Sequence, residues 1–248
     1  MLVIVFSISY YALNQFIRAK DVVMYGKKIS ELTNEIRTEL LKRQDITQVK
    51  IPSTDNITLS GFVIKRHNPT ANVVFCHGYR SAKEMNYAYI DLFPDWNILM
   101  FDFRAHGQSE GSMTTIGYHE YKDVIAAIQF MRETVKDTAA KNLPFIIVGV
   151  SMGGAASLKA IEHDPGLCDT IIVDSTYAHM DETLSNVFTE KSGLPAFPFF
   201  NITKNLFHYV AQCNCHTMQP AEMVKNITQP ILFIHSCDDS YIPPKNSV

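Results

Sequence analysis

At 248 residues the chain can form one large domain with an appendage, and a hydrophobic fraction of 46% supplies a substantial core. A net charge of −3 gives no electrostatic case for nucleic acid. Five scattered cysteines (Cys76, Cys168, Cys213, Cys215, Cys237) do not make a disulfide framework, and Cys213-Asn214-Cys215-His216 lacks a further ligand at zinc spacing, so no metal is expected.

Leu2 to Leu13 is an apolar, aromatic run, extended by Asn14-Gln15-Phe16-Ile17 and followed by Arg18 and Lys20. It is shorter than the ~20 residues that cross a bilayer, and it lacks the basic start and small-residue cleavage site of a signal peptide. Two readings remain for residues 2–17, the end of a membrane anchor or an amphipathic helix packed on a partner; the anchor is favoured, with the basic residues after it keeping the domain on the cytoplasmic side. Asp21 to Arg43 carries Ile29, Leu32, Ile36 and Leu40 at helical spacing, which predicts a linking helix. Residues 1–45 thus form an anchor and linker, and 46–248 the main domain.

Within that domain, Gln48–Pro52 and Ile57–Lys65 predict two strands joined at Thr54-Asp55-Asn56. Val73–Tyr79 is a buried strand ending in His77-Gly78, and Trp96–Phe101 is another, running into Asp102-Phe103-Arg104-Ala105-His106-Gly107-Gln108-Ser109-Glu110-Gly111. Gly117–Lys136 is helical in pattern. Phe145–Val150, Thr170–Asp174 and Ile231–His235 complete the strands. Strands alternating with helices specify a mainly parallel sheet with helices on both faces. The stretch of about 177–219, with Leu194-Pro195-Ala196-Phe197-Pro198-Phe199-Phe200 and an amphipathic Ile202–Val210, is longer than a crossover needs and predicts a lid or substrate wall.

Gly149-Val150-Ser151-Met152-Gly153 lies between a β-branched run and a helix beginning near Ala155. This is the G-x-S-x-G of a nucleophile elbow, in which a tight strand-to-helix turn lifts the serine above the sheet. Ser151 is the predicted nucleophile. The N-terminus of the following helix favours negative charge beside it.

Four motifs in order, namely His77-Gly78-Tyr79, Asp102 to Gly111, the elbow, and His235-Ser236-Cys237-Asp238-Asp239-Ser240-Tyr241-Ile242-Pro243, resemble the α/β-hydrolase superfamily from about Ile51 onward. Within it the chain looks most like bacterial N-terminally anchored serine hydrolases near the serine aminopeptidase and acylaminoacyl peptidase branches. The resemblance implies an α/β-hydrolase fold, an oxyanion hole from the backbone amides of Tyr79 and Met152, and Asp239 as the triad acid. Asp238 competes for that role, and Asp174 is a remote third.

The family's triad order also implies a histidine after one more helix and strand. A helix of ~11 residues and a strand of ~5 need more chain than the nine residues, Ser240 to Val248, that follow Asp239, and none of those is histidine. The triad histidine is accordingly expected beyond residue 248, in a longer gene product. Three functions stay open: a serine hydrolase of carboxylic esters acting on a small acyl substrate, an acyl-peptide or aminopeptidase-type peptidase, and a non-catalytic binding protein of the same fold. No phosphate loop implies a nucleotide cofactor.

Overall fold

The computed structural model describes residues 2–20, 23–24 and 27–247. Helix α1 spans Leu2–Ile17; a short antiparallel hairpin pairs β1 (Val23–Met24) with β2 (Lys27–Lys28), and α2 spans Ile29–Leu40. The linking helix is therefore shorter than the pattern over Asp21–Arg43 predicts, because the hairpin takes its first part.

The main sheet comprises β3 (Ile46–Pro52), β4 (Thr58–Ile64), β5 (Ala71–Cys76), β6 (Trp96–Phe101), β7 (Phe145–Val150), β8 (Thr170–Asp174) and β9 (Ile231–Ile234), in the spatial order β3-β4-β6-β5-β7-β8-β9. The first two pairings are antiparallel and the rest parallel. A short α3 (Tyr89–Leu92) follows β5, while α4 (Tyr121–Val135) and α5 (Met152–His163) flank β7 in sequence. The long insertion folds as α6 (Met180–Ser192) and α7 (Ala196–Ala211), kinked at Phe197, and a short α8 (Pro220–Met223) leads back to β9.

Alternation along β5 shows how the sheet is covered. Val74 and Cys76 join a core with α4 and α5, whereas Val73 and Phe75 join a second core with Leu40 of α2 and Ile90 of α3. A strand buried on both faces needs the continuous apolar run that the sequence has there.

Helix α1 lies on the domain rather than apart from it. Leu13 and Ile17 are buried in the larger core, the Ser9 hydroxyl donates to the Phe199 carbonyl at 2.9 Å, and the Thr203 hydroxyl donates to the Ser9 carbonyl at 3.2 Å. Among the described residues no helix is long and apolar enough to cross a membrane, so the anchor expected over residues 2–17 is not seen as a span. The apolarity that suggested lipid is spent in part on α7.

Candidate active site

The C-terminal ends of the parallel strands share one edge of the sheet, and the motif residues collect there because the loops after β5, β6, β7, β8 and β9 all leave from that edge. Ser151 connects β7 to α5 with φ 51° and ψ −115°, a left-handed backbone on a residue with a side chain. Such a conformation costs of order 1–3 kcal/mol and persists only where the surroundings impose it. Here the glycines impose it. A Cβ on Gly153 would overlap the Cys76 carbonyl, and one on Gly149 would overlap the backbone of Gly154. The Ser151 amide donates to the Asp174 carbonyl at 2.8 Å, and its carbonyl accepts from the Ala155 amide at 3.2 Å and the Thr176 hydroxyl at 3.1 Å. The backbone is thus tied down while the side chain makes no helix-capping bond.

The loop after β5 runs over this serine, since a Cβ on Gly78 would sit 3.5 Å from the Ser151 Cβ. Among the described residues the amides of Tyr79 and Met152 donate to no acceptor, while the neighbouring Arg80 amide is held by His106 Nε2 at 3.3 Å. The Tyr79 hydroxyl reaches the carbonyls of Gln15 and Phe16 at 3.0 and 2.8 Å, and Arg80 also donates to Gln15. Burial pushes that hydroxyl up to about 12, so it stays a donor. The last carbonyls of a helix have no partner within it; those of Gln15 and Phe16 in α1 are capped by Tyr79 and Arg80 of the loop after β5.

The Asp102 to Gly111 motif is the frame beneath. The Asp102 carboxylate accepts from the Lys83 amide (2.8 Å), the Lys83 ammonium (2.7 Å) and the Gln108 amide (2.8 Å), and Gly107 lies so close that a Cβ would strike it. Lys83 also meets Glu84 at 3.1 Å, and Glu84 pairs with Arg37 of α2 at 2.7 Å; Lys83 and Glu84 are fully buried. Arg104 is clamped between Asp123 and Asp55.

His77 and His106 have both ring nitrogens occupied. His77 Nε2 accepts from the Phe103 amide at 3.0 Å and its Nδ1 faces the Gly78 carbonyl at 2.8 Å. Burial, with His106 beside it, holds the imidazole down to about 3, so it stays neutral. Burial also lowers His106, whose Nδ1 faces the Arg104 carbonyl at 2.8 Å. Both act as wedges between loops. His235 is likewise engaged, by Ser247 and by the Ile242 carbonyl at 2.7 Å. Among the described residues no histidine is hydrogen-bonded to Ser151.

Asp239 Oδ1 accepts from the amides of Tyr241 (2.9 Å) and Ile242 (2.8 Å), leaving Oδ2, 3.5 Å from His235 Nε2, without a close donor. Asp238 is exposed, and Asp174 accepts from the Ser175 hydroxyl at 2.9 Å. Among the described residues no three potential ligands converge on a metal site, and Cys213 and Cys215 are buried thiols.

Sequence reasoning missed the part played by α1. Beside the loops of Tyr79 and Tyr241 lies a cavity of about 370 Å³ whose other walls are α1 and α6. Tyr79 could be found from its motif; nothing in the sequence announces that a helix more than sixty residues upstream would cap against it.

Comparisons with known proteins agree with this frame. A solved esterase of Pyrococcus furiosus superposes with a TM-score of 0.67 at 22% identity, over 94% of this chain and 81% of that one. A Pyrococcus horikoshii acylaminoacyl peptidase gives 0.57 at 18%, over 85% and 35%. The uncharacterised protein YqkD of Bacillus subtilis is 29% identical over 83% of this chain, which spans about two thirds of the length of that relative. A family model described as the alpha/beta hydrolase fold matches residues 71–211, more than half of the chain. Glycine-enforced elbow, mainly parallel sheet and family match lead to one conclusion: this chain belongs to the α/β-hydrolase fold family.

Proposed function

We propose that the protein is a serine hydrolase that cleaves carboxylic esters or related acyl bonds through an acyl-enzyme on Ser151. The observation that carries this reading is the strained left-handed backbone of Ser151, with the amides of Met152, next in the chain, and Tyr79, on the loop after β5, donating to no acceptor among the described residues. Its side chain would attack the acyl carbon, forming the Oγ–C bond as its proton passes to an imidazole. The oxygen that becomes negative would meet the amides of Tyr79 and Met152, each such donor lowering the barrier by ~3–4 kcal/mol. The leaving alkoxide would take the proton, and water would then release the acid by the same route.

Asp239 is the acid in this scheme. With Oδ1 spent on its own loop, Oδ2 is left for an imidazole, which a triad acid holds in the right tautomer. The imidazole is placed beside β9, in a further strand and helix of a longer gene product. What supports this is that Leu232, Phe233 and Ile234 of that outermost strand are all exposed, a surface one such unit would cover. Attachment to a membrane surface belongs to the same proposal, through the outer face of α1 where Val3, Ile4, Phe6 and Tyr10 are exposed.

A fluorophosphonate probe tests the scheme in the full-length gene product. Labelling that is lost in Ser151→Ala supports catalysis; no labelling favours a binding protein of the same fold. A panel of acyl esters set against acyl-peptide amides then separates esterase from peptidase, and co-sedimentation with anionic vesicles tests the membrane contact.

A further inference from the structure

We infer that the cavity between α1 and α6 is an acyl pocket, and that it takes a medium-length apolar chain carrying a negative charge. The inference rests on Ser151 being the reacting centre, because the two loops that meet the cavity are the ones assigned to the oxyanion and the acid. Tyr79 and Tyr241 both line it. At about 370 Å³ it falls in the range of small-molecule sites.

Its walls are apolar where they are deepest in helix. Ile8, Ala12 and Phe16 recur every four residues along α1 and present one stripe, and Val187 and Phe188 face them from α6. The adjacent face of α1 is pinned by Ser9, Leu13 and Ile17, so the stripe is a fixed wall. The pocket's charge is one-sided. Arg80 and Lys191 line it, and no Asp or Glu does among the described residues. Arg80 spends one nitrogen on the Gln15 carbonyl, and its Nε is buried away from the cavity's open space, so what it offers a ligand is the charge of its guanidinium. Lys191 meets Glu190 at 3.1 Å, but both are exposed, so that pairing is weak. A cationic chain would meet the like charges of Arg80 and Lys191, and a neutral one would leave them unpaired; a carboxylate or similar anion would pair with them.

Equilibrium binding to the full-length gene product tests this without needing turnover. Straight-chain carboxylates from hexanoate to dodecanoate would be titrated by calorimetry, with decanol and decylammonium as controls. Affinity should tighten by about fourfold per added methylene until the pocket is full and then level off. Decanoate should bind on the order of tenfold more tightly than decylammonium. Ala12→Phe, which narrows the cavity, should weaken decanoate by about tenfold or more and hexanoate far less; Tyr10→Ser on the outer face should change neither. Affinity independent of chain length, equal binding of the ammonium, or an Ala12→Phe variant that melts normally and binds decanoate unchanged would each overturn the pocket. Ser151→Ala should bind as the parent does. A pocket that binds in a full-length protein that never labels would sink the hydrolase reading alone, whereas a labelled Ser151 without chain-length dependence would sink the pocket alone.

Discussion

Strands β7 and β9 are made of the same kind of residue, yet they end in opposite situations. Ile147 of β7 is fully buried between α5 and its neighbours, whereas Leu232 of β9 is 52% exposed at the edge of the sheet. The proposed nucleophile and oxyanion amides stand on the covered strands, and the proposed acid stands on the loop after the open one. The covered side is fixed by sterics that tolerate no extra carbon, while the open side is fixed by a few local hydrogen bonds. Among the described residues, the nucleophile half of the proposed site is set by the core and the acid half by its own turn.

The largest effect that would break this contrast is expected at the open side. Asp239→Asn keeps a carbonyl oxygen for the Tyr241 and Ile242 amides, so thermal melting should hardly move. Esterase activity of the full-length gene product should fall by about 10⁴-fold, the loss seen when a triad carboxylate becomes an amide, and Asp238→Asn should leave it near the parent level. Equal losses in both variants would mean that neither turn nor residue has been assigned correctly. On the covered side, Gly153→Ala should destabilise the protein by about 3 kcal/mol or more in urea unfolding, because its methyl overlaps the backbone of Cys76. A folded, stable variant would show that the elbow is looser than its geometry.

Acid should separate the two sides next. His77 is held near 3 by burial, against an ordinary value of 6.5, and His106 is lowered for the same first reason. Between those values the unfolded chain takes up protons that the folded chain refuses, so stability present above pH ~6.5 is lost as pH falls toward ~3. Urea midpoints measured from pH 7 to pH 4 should drop steadily; a flat profile would show that these rings accept protons in place. The smallest effect is expected from Tyr79→Phe, which uncaps α1. It should cost about 1 kcal/mol of stability and lower ester turnover modestly without abolishing fluorophosphonate labelling of the full-length protein.

Much of this was legible in the sequence, for particular reasons. Trp96–Phe101 and Thr170–Asp174 are strands over the very residues the apolar runs predict, because a parallel strand covered on both faces has to be apolar throughout. The elbow was legible because only glycine fits at positions 149 and 153, two residues either side of Ser151. The placement of α1 was not, since an apolar helix looks the same whether its partner is lipid or another helix. Nor were the short α3 and α8, four residues each, which tertiary packing rather than periodicity creates. The division of labour inside Asp102 to Gly111, where Asp102 answers Lys83 and Gln108 while Arg104 answers Asp55 and Asp123, became visible only once the loop after β5 was seen to lie on it.

Lys83 has a consequence of its own. It sits three residues beyond Arg80, fully buried, bonded to Asp102 and touching Glu84, which in turn holds Arg37. Added electrolyte weakens charges that meet water and does little to those that do not. The turn that carries the Tyr79 amide should therefore stay fastened in brine as firmly as in dilute buffer, while the exposed pair of Lys42 with Glu39 at the end of α2 dissolves away.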